Sequence, residues 1–244
     1  MSAATLYQYT GSEANFKQIE VNHVASNWTA ESGTFDFSAD STTEWSNENA
    51  LASDLKSRGS DFKHENEIAH AYYYGVTFNE DDETAPGVKI EVTPTEHAAI
   101  LRFTFPEGSD QRNVILDCTK ARNSSSAGIT YNEDGSFLAF SSKVAAGQKR
   151  MYVYGEFSVM PTSFHACNNK PLSMFQFPAA QEGDTVVELR VATSYISGEQ
   201  AEKNLNLEIT EDDNFDSIKE KALNIWNEKL SVIEVEDPNA TYDQ

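Results

Sequence analysis

Histidine is the scarcest group that moves protons near neutral pH, and the chain has five: His23, His64, His70, His97 and His165. Nucleophilic hydrolysis through serine would need a sharp turn to expose the hydroxyl, yet no Gly-x-Ser-x-Gly segment occurs. The run His64-Glu65-Asn66-Glu67, followed by His70, has the composition of a metal site. It lacks the His-Glu-x-x-His spacing that sets two imidazoles one helical turn apart. Carboxylates are plentiful, 39 acidic residues against 18 basic ones. Cleavage of a sugar linkage uses two of them facing each other across the ring, and spacing along a strand cannot single out such a pair. The acidic runs at 79–83 and 211–213 offer the oxygen ligands that calcium takes. Neither follows the Asp-x-[Asp/Asn]-x-[Asp/Asn]-Gly pattern, so a solvated turn and a helix start account for them.

Other chemistries are excluded by what is missing. A formal net charge of -21 opposes a nucleic-acid partner, which needs Lys and Arg to displace counterions. It equally opposes an anionic membrane surface. No apolar run approaches the roughly 20 residues of a membrane span. The start, Met1-Ser-Ala-Ala-Thr5, has neither a basic n-region nor an apolar h-region, so no signal peptide is expected there. Cys118 and Cys167 are too few for a disulfide scaffold and too far apart for a zinc knuckle. Two buried thiols are expected, with one disulfide as the alternative. Asn27, Asn123 and Asn239 head Asn-x-Ser/Thr triplets, which matter only in a eukaryotic secretory pathway.

The elements that would position any site read as strands. Alternation of apolar and polar residues marks 18–24 and 34–38. Further β patterns cover 69–78, 88–93, 98–105, 113–118, 128–131, 136–144, 149–159, 172–177 and 185–196, separated by turns rich in Gly, Asp, Asn and Ser. Ten or more strands in meander order predict a large antiparallel β-sandwich, mainly β in class. Residues 40–63 read as a polar loop around Trp45, with a short helix near 49–58. The period then changes. Ser197 can cap a helix over 199–208, and a second helix starts near Asp213 or Asn214. Its apolar stripe is Phe215, Ile218, Ala222, Ile225, Trp226 and Leu230, at steps of three and four. That stripe needs a surface to cover. Trp28 and Trp45 lie outside firm strand patterns and are the aromatics best suited to exposed contact with a sugar ring. Tyr72, Tyr73, Tyr74, Tyr152 and Tyr154 sit on strands and read as core.

Three stretches carry a resemblance. They are Phe62-Lys-His-Glu-Asn-Glu-Ile-Ala-His-Ala-Tyr-Tyr-Tyr-Gly-Val76, Ile90 through Pro106, and Val187 through Leu205 with its Ser-Gly-Glu-Gln-Ala block at 197–201. Phe215-Asp216 and Trp226-Asn-Glu-Lys-Leu230 follow in order. This succession resembles the N-terminal domain of the glycoside hydrolase family 92 exo-α-mannosidases. The resemblance implies a β-sandwich, a helical linker and then an (α/α)6 catalytic barrel. It implies inverting, calcium-dependent removal of α-linked mannose from glycans by a secreted or cell-surface bacterial enzyme. The acid, the base and the calcium ligands belong to the barrel, which would begin where this chain stops. The family's early Pro-Phe-Gly-Met-type motif has no counterpart in residues 1–61, and Glu96 stands where the family's second motif carries an Arg.

The expected organisation is therefore N-terminal strands and a long polar loop at 1–61, a sandwich core at 62–197, a helical linker at 198–236 and a polar tail at 237–244. No catalytic residue, metal ligand or cofactor is assigned within the chain, and calcium is implied only for the full-length enzyme. The expected partners are mannose-containing glycans and the chain's own downstream catalytic domain. His64, Glu65 and Glu67 are the candidate substrate contacts, because they follow the long loop, precede an aromatic strand and offer charged acceptors to sugar hydroxyls. A stand-alone carbohydrate-binding module or adhesin is the rival reading. Without its catalytic domain the chain is expected to be inactive.

Overall fold

The computed structural model describes residues 2–6, 15–16, 19–23, 35–44, 59–118, 127–140, 150–166 and 172–232. The helix expected at 49–58, Trp28, Trp45, Cys167, the three Asn-x-Ser/Thr sites and the tail beyond 232 lie outside them. Sixteen strands and two helices follow in order: β1 (Ser2–Leu6), β2 (Asn15–Phe16), β3 (Ile19–His23), β4 (Asp36–Asp40), β5 (Ser60–Asp61), β6 (Glu67–His70), β7 (Tyr73–Thr77), β8 (Lys89–Pro94), β9 (Ala98–Phe105), β10 (Asn113–Asp117), β11 (Gly128–Tyr131), β12 (Ser136–Phe140), β13 (Tyr152–Phe157), β14 (Ser163–Ala166), β15 (Leu172–Gln176), β16 (Thr185–Ser194), α1 (Gly198–Glu208) and α2 (Phe215–Leu230).

All pairings among the described residues are antiparallel. One sheet runs β1-β3-β4-β10-β15-β14 and the other β11-β12-β13-β16-β9-β8-β7-β6, with β2 and β5 as a separate pair. The order is not a simple meander. β10 leaves the larger sheet to sit between β4 and β15, and β16 returns to pair with β9 in a register running from Thr185↔Phe105 to Ala192↔Ala98. Strand alternation explains the layering. Val114, Leu116 and Phe175 from the smaller sheet meet Val76, Leu101, Phe103, Phe137 and Leu189 from the larger one in one core. Aromatic rings bridge the sheets, with Phe37 to Phe137 at 6.3 Å and Phe157 to Phe175 at 4.7 Å between centroids. Cys118 is buried in this core.

The larger sheet is covered on its other face too. Tyr73, Ala98, Ile100, Tyr154 and Ala192 point outward and pack under Ala201 and Leu205 of α1 and Phe215 and Ile218 of α2. β9 thus reads Ala-Ala-Ile-Leu-Arg-Phe-Thr-Phe, with apolar residues facing both ways.

Two expectations change. The single strand expected over 69–78 is a hairpin, β6 and β7, with His70↔Tyr73 as its last pair. Its connection, Ala71-Tyr72, carries none of the usual turn residues. β14, at 163–166, had no firm pattern and forms the edge beside β15.

Gly155 on β13 marks a tight point in the core. A Cβ added there would lie 2.3 Å from Cζ of Phe137, which is fully buried. Gly155→Ala must push that ring into its neighbours, at a cost of about 1–3 kcal/mol. Urea titration followed by fluorescence is expected to show an unfolding free energy lower by that amount.

Candidate functional site

The predicted contacts gather at the edge of the larger sheet. His64–Asn66 form a single 3-10 turn that closes with Asn66 N donating to Lys63 O (2.9 Å). Buried Phe62 anchors the turn, its ring edge-on to His64 at 6.1 Å. Glu67 opens β6 opposite Val76, so its side chain lies on the sandwich face of the strand. Two side chains meet its carboxylate. Tyr74 Oη donates to Oε1 (2.6 Å), and His64 Nδ1 lies 2.9 Å from Oε2. Burial comes first in pushing the Tyr74 phenol far above its ordinary range, and the Glu67 carboxylate adds to it. The structure thus joins His64 and Glu67 but not Glu65. The Glu65 side chain is 74% exposed and its nearest cation is Lys63 at 3.8 Å.

The acidic clusters are turn-builders. Asp82 accepts from Ser60 Oγ (3.0 Å), Asp61 N (2.7 Å), Thr84 N (2.9 Å) and Ala85 N (2.7 Å), which closes the β7–β8 connection. Asp213 accepts from Thr210 Oγ1 (2.9 Å), Ser217 Oγ (3.0 Å) and Lys221 Nζ (2.5 Å) at the α1–α2 corner. The bond from Lys221 holds its carboxyl well below the usual range, against the opposing pull of partial burial. Both carboxylates are held by protein donors. Among the described residues, no group of three His, Cys, Asp or Glu side chains converges to hold a metal.

The second feature is the seat of α2. Sequence reasoning placed no charge network here, although Glu91 and Arg102 occupy outward positions between apolar ones. Glu91 lies directly across from Arg102, and Arg102 across from Glu188. Arg102 donates from Nε to Glu91 Oε2 (2.7 Å) and from Nη2 to Oε1 (3.0 Å), a two-pronged pair. Tyr73 Oη also donates to Oε1 (2.8 Å), and Lys89 Nζ lies 3.0 Å away. Gly75 permits this reach, since a Cβ there would sit 2.3 Å from Tyr73 Oη. The guanidinium stacks 4.1 Å over Phe215, the first residue of α2, and meets Asp216 at 3.3 Å. Lys219 adds its ammonium 3.6 Å above the Tyr73 ring. At the helix start, Asn214 accepts from Ser217 N and Ser217 Oγ accepts from Asn214 N, a capping box. α1 is tied in at its end, where Glu208 Oε2 accepts from Thr95 Oγ1 (2.5 Å) and His97 N (2.7 Å).

The apolar stripe of α2 divides. Phe215, Ile218 and Ala222 are buried, but from Asn224 to Val232 every side chain is exposed. Ile225 is 53%, Trp226 40% and Leu230 64% accessible. The sheet covers only the first half of the helix among the described residues.

The described residues thus form an antiparallel two-sheet sandwich that carries a helical pair on one sheet, with half of the second helix uncovered. Residues 2–202 match the Glycosyl hydrolase family 92 N-terminal domain, and the chain belongs to that family. It is 29% identical over 183 residues to an uncharacterized secreted glycosidase of Arthroderma benhamiae, a match covering 60% of this chain and 23% of that protein. Its fold resembles the family GH92 inverting mannosidase BT2199 of Bacteroides thetaiotaomicron, with a TM-score of 0.75 and 24% identity over 94% of this chain and 30% of that one. The α-mannosidase BT3965 of the same organism gives a TM-score of 0.73 at 17% identity over 96% of this chain and 34% of that one. The chain thus spans about a quarter to a third of the length of these relatives. No described helix is long and apolar enough to cross a membrane.

Glu91 makes the helix seat sensitive to acid. Burial alone would raise its carboxyl, and the bonds from Arg102, Tyr73 and Lys89 outweigh that and hold it down at about 2. In the unfolded chain it titrates near 4.5. The native state therefore gains stability from the ionised form above pH 4.5, and loses it as pH falls toward 2. The gap corresponds to about 3 kcal/mol at most. Glu91→Gln is expected to flatten this part of the stability–pH curve and to lower stability at neutral pH by leaving Arg102 poorly compensated, as read by denaturant titration across the acid range.

Proposed function

We propose that this chain is the non-catalytic N-terminal domain of an exo-acting, secreted α-mannosidase that removes α-linked mannose from glycans. It braces a following catalytic domain and lines part of the sugar pocket. The observation that carries this reading is the uncovered half of α2. Two turns of helix standing alone in water are marginal, because helix formation is cooperative and short segments gain little. Ile225, Trp226 and Leu230 nevertheless keep the apolar spacing of the covered half. Burying such side chains against a partner stabilises by about 1.5–3 kcal/mol each, which is enough to hold the helix and to fix two domains together. The solved relatives are roughly three times as long as this chain, so in this reading the partner is the region that follows the sandwich in an intact enzyme.

Family membership and the GH92 mannosidase relatives support the substrate class. The fungal relative, described as secreted, supports an extracellular setting. The general acid, the base and any calcium belong, in this reading, to the following domain. His64 and Glu65 face solvent at the sheet edge and would meet the sugar, while Glu67 supports His64 from within.

The isolated chain, supplied with calcium and an aryl α-mannoside, is expected to show no turnover; sustained release of the aryl group would overturn the proposal. In an enzyme that continues into the next domain, Ile225→Glu combined with Trp226→Glu is expected to lower the thermal midpoint by several degrees and to reduce mannosidase activity. Unchanged melting and activity would remove the docking role of α2.

A further inference from the structure

The bracing role makes no use of the arrangement at the start of β6. The contact between Glu67 Oε2 and His64 Nδ1 (2.9 Å) joins an acceptor to a ring nitrogen. An ionised carboxylate has no proton to give, so the proton of this contact sits on Nδ1. A neutral imidazole carries one proton, and fixing it on Nδ1 leaves Nε2 as an acceptor. The fixing group is itself held. Glu67 takes the Tyr74 phenol on its other oxygen (2.6 Å), and its side chain is only 13% exposed. His64 by contrast is 70% exposed. The dyad has a buried, doubly bonded end and a solvent-facing end, and Phe62 limits the swing of the ring.

We infer that Glu67 is a positioning residue that holds His64 in the Nδ1–H form, so that Nε2 accepts a hydrogen bond from a hydroxyl of a neutral sugar. The choice of a sugar rests on the reading of the chain as a mannosidase domain; the state of the ring does not. A bare Nε2 suits an O–H donor and repels an anion. The exposed carboxylate of Glu65, next in the chain, and the net charge of -21 add negative potential that acts in the same direction. The chemistry recognised is a neutral polyol rather than an acidic sugar.

Long-range proton–nitrogen NMR of the histidine rings, at a pH alkaline enough to leave the imidazoles neutral, tests this directly. Wild-type His64 is expected in the Nδ1–H form, and Glu67→Gln is expected to release it to a mixture of both forms. Methyl α-mannoside is expected to move the Nε2 resonance of the wild type upfield in a saturable way, glucuronate is expected not to, and Glu67→Gln is expected to weaken the mannoside response several-fold. A wild-type ring protonated on Nε2, or a tautomer untouched by Glu67→Gln, overturns the positioning role. The wild-type measurement stands even if the variant fails to fold. An Nδ1–H ring that ignores mannoside, or answers glucuronate equally, overturns the sugar assignment. Turnover by the isolated chain would sink the domain reading while leaving the ring measurement intact, so the two failures are told apart.

Discussion

A strand covered on both faces cannot keep an unpaired charge, and β9 carries Arg102 in its middle. That constraint organises one whole side of the protein. Leu101 and Phe103 face the sandwich while Arg102 faces the helices, so the guanidinium must find its partners within the helix–sheet layer. Glu91 supplies two acceptors from the next strand, Phe215 supplies a ring face, and Asp216 supplies a second carboxylate at the rim. The first turn of α2 is thereby fixed to a point on the sheet by charge-assisted bonds as well as by apolar burial. A buried ion pair of this kind is costly to desolvate and adds little net stability over an apolar substitute. Its value lies in direction. It sets where α2 begins, and the capping box and the Asp213–Lys221 contact set how the helix leaves that point.

Direction matters because half of α2 has no covering surface in the described structure. A helix seated only by greasy contacts can roll or slide by a residue at modest cost. One whose first turn sits on a sheet-held Arg102, through the Phe215 ring and the Asp216 carboxylate, resists both motions, so its outer half projects at a set angle. In the proposed arrangement the exposed Ile225, Trp226 and Leu230 offer a prearranged ridge to a following domain, and docking there would not have to supply the ordering entropy of the helix start. The same logic holds at the opposite face of the sheet edge. His64 is offered to solvent by a turn anchored on Phe62 and by a carboxylate anchored on Tyr74. In both places a buried group fixes an exposed one.

Much of the fold was legible in the residues. Alternation at 34–38 marked β4 to within two residues, and the β patterns expected at 88–93, 98–105, 113–118 and 185–196 fall within one or two residues of β8, β9, β10 and β16, because each buries one face or two and slipping by one position would expose the core set. Ser197 announced the first helix start through its capping chemistry and caps it, and the second helix, expected to start near Asp213 or Asn214, is capped by Asn214. The hairpin of β6 and β7 was not legible. Its turn uses Ala71 and Tyr72, neither of which favours a turn, and the flanking tyrosines are good strand formers. Tertiary packing decided it, since Tyr73 and Tyr74 each need a different face of the sheet for their rings and a carboxylate for their hydroxyls. Nor did residue types reveal that Glu65 stands apart from His64 and Glu67. Adjacent residues in a 3-10 turn diverge in a way that sequence spacing alone does not show.

The amino-acid order by itself determined the β class, the helical C-terminal pair and the family, because these follow from periodicity, caps and local motifs that act over a few residues. Only the tertiary structure decided which strands pair across the two sheets, which half of the α2 stripe is covered, and that Glu67 is shared between a buried phenol and an exposed imidazole. Those outcomes depend on contacts between segments far apart in the chain, such as Glu91 with Arg102 and Asp216. Such contacts leave no local trace in the sequence because neither partner's neighbours differ from those of any other charged residue on a strand.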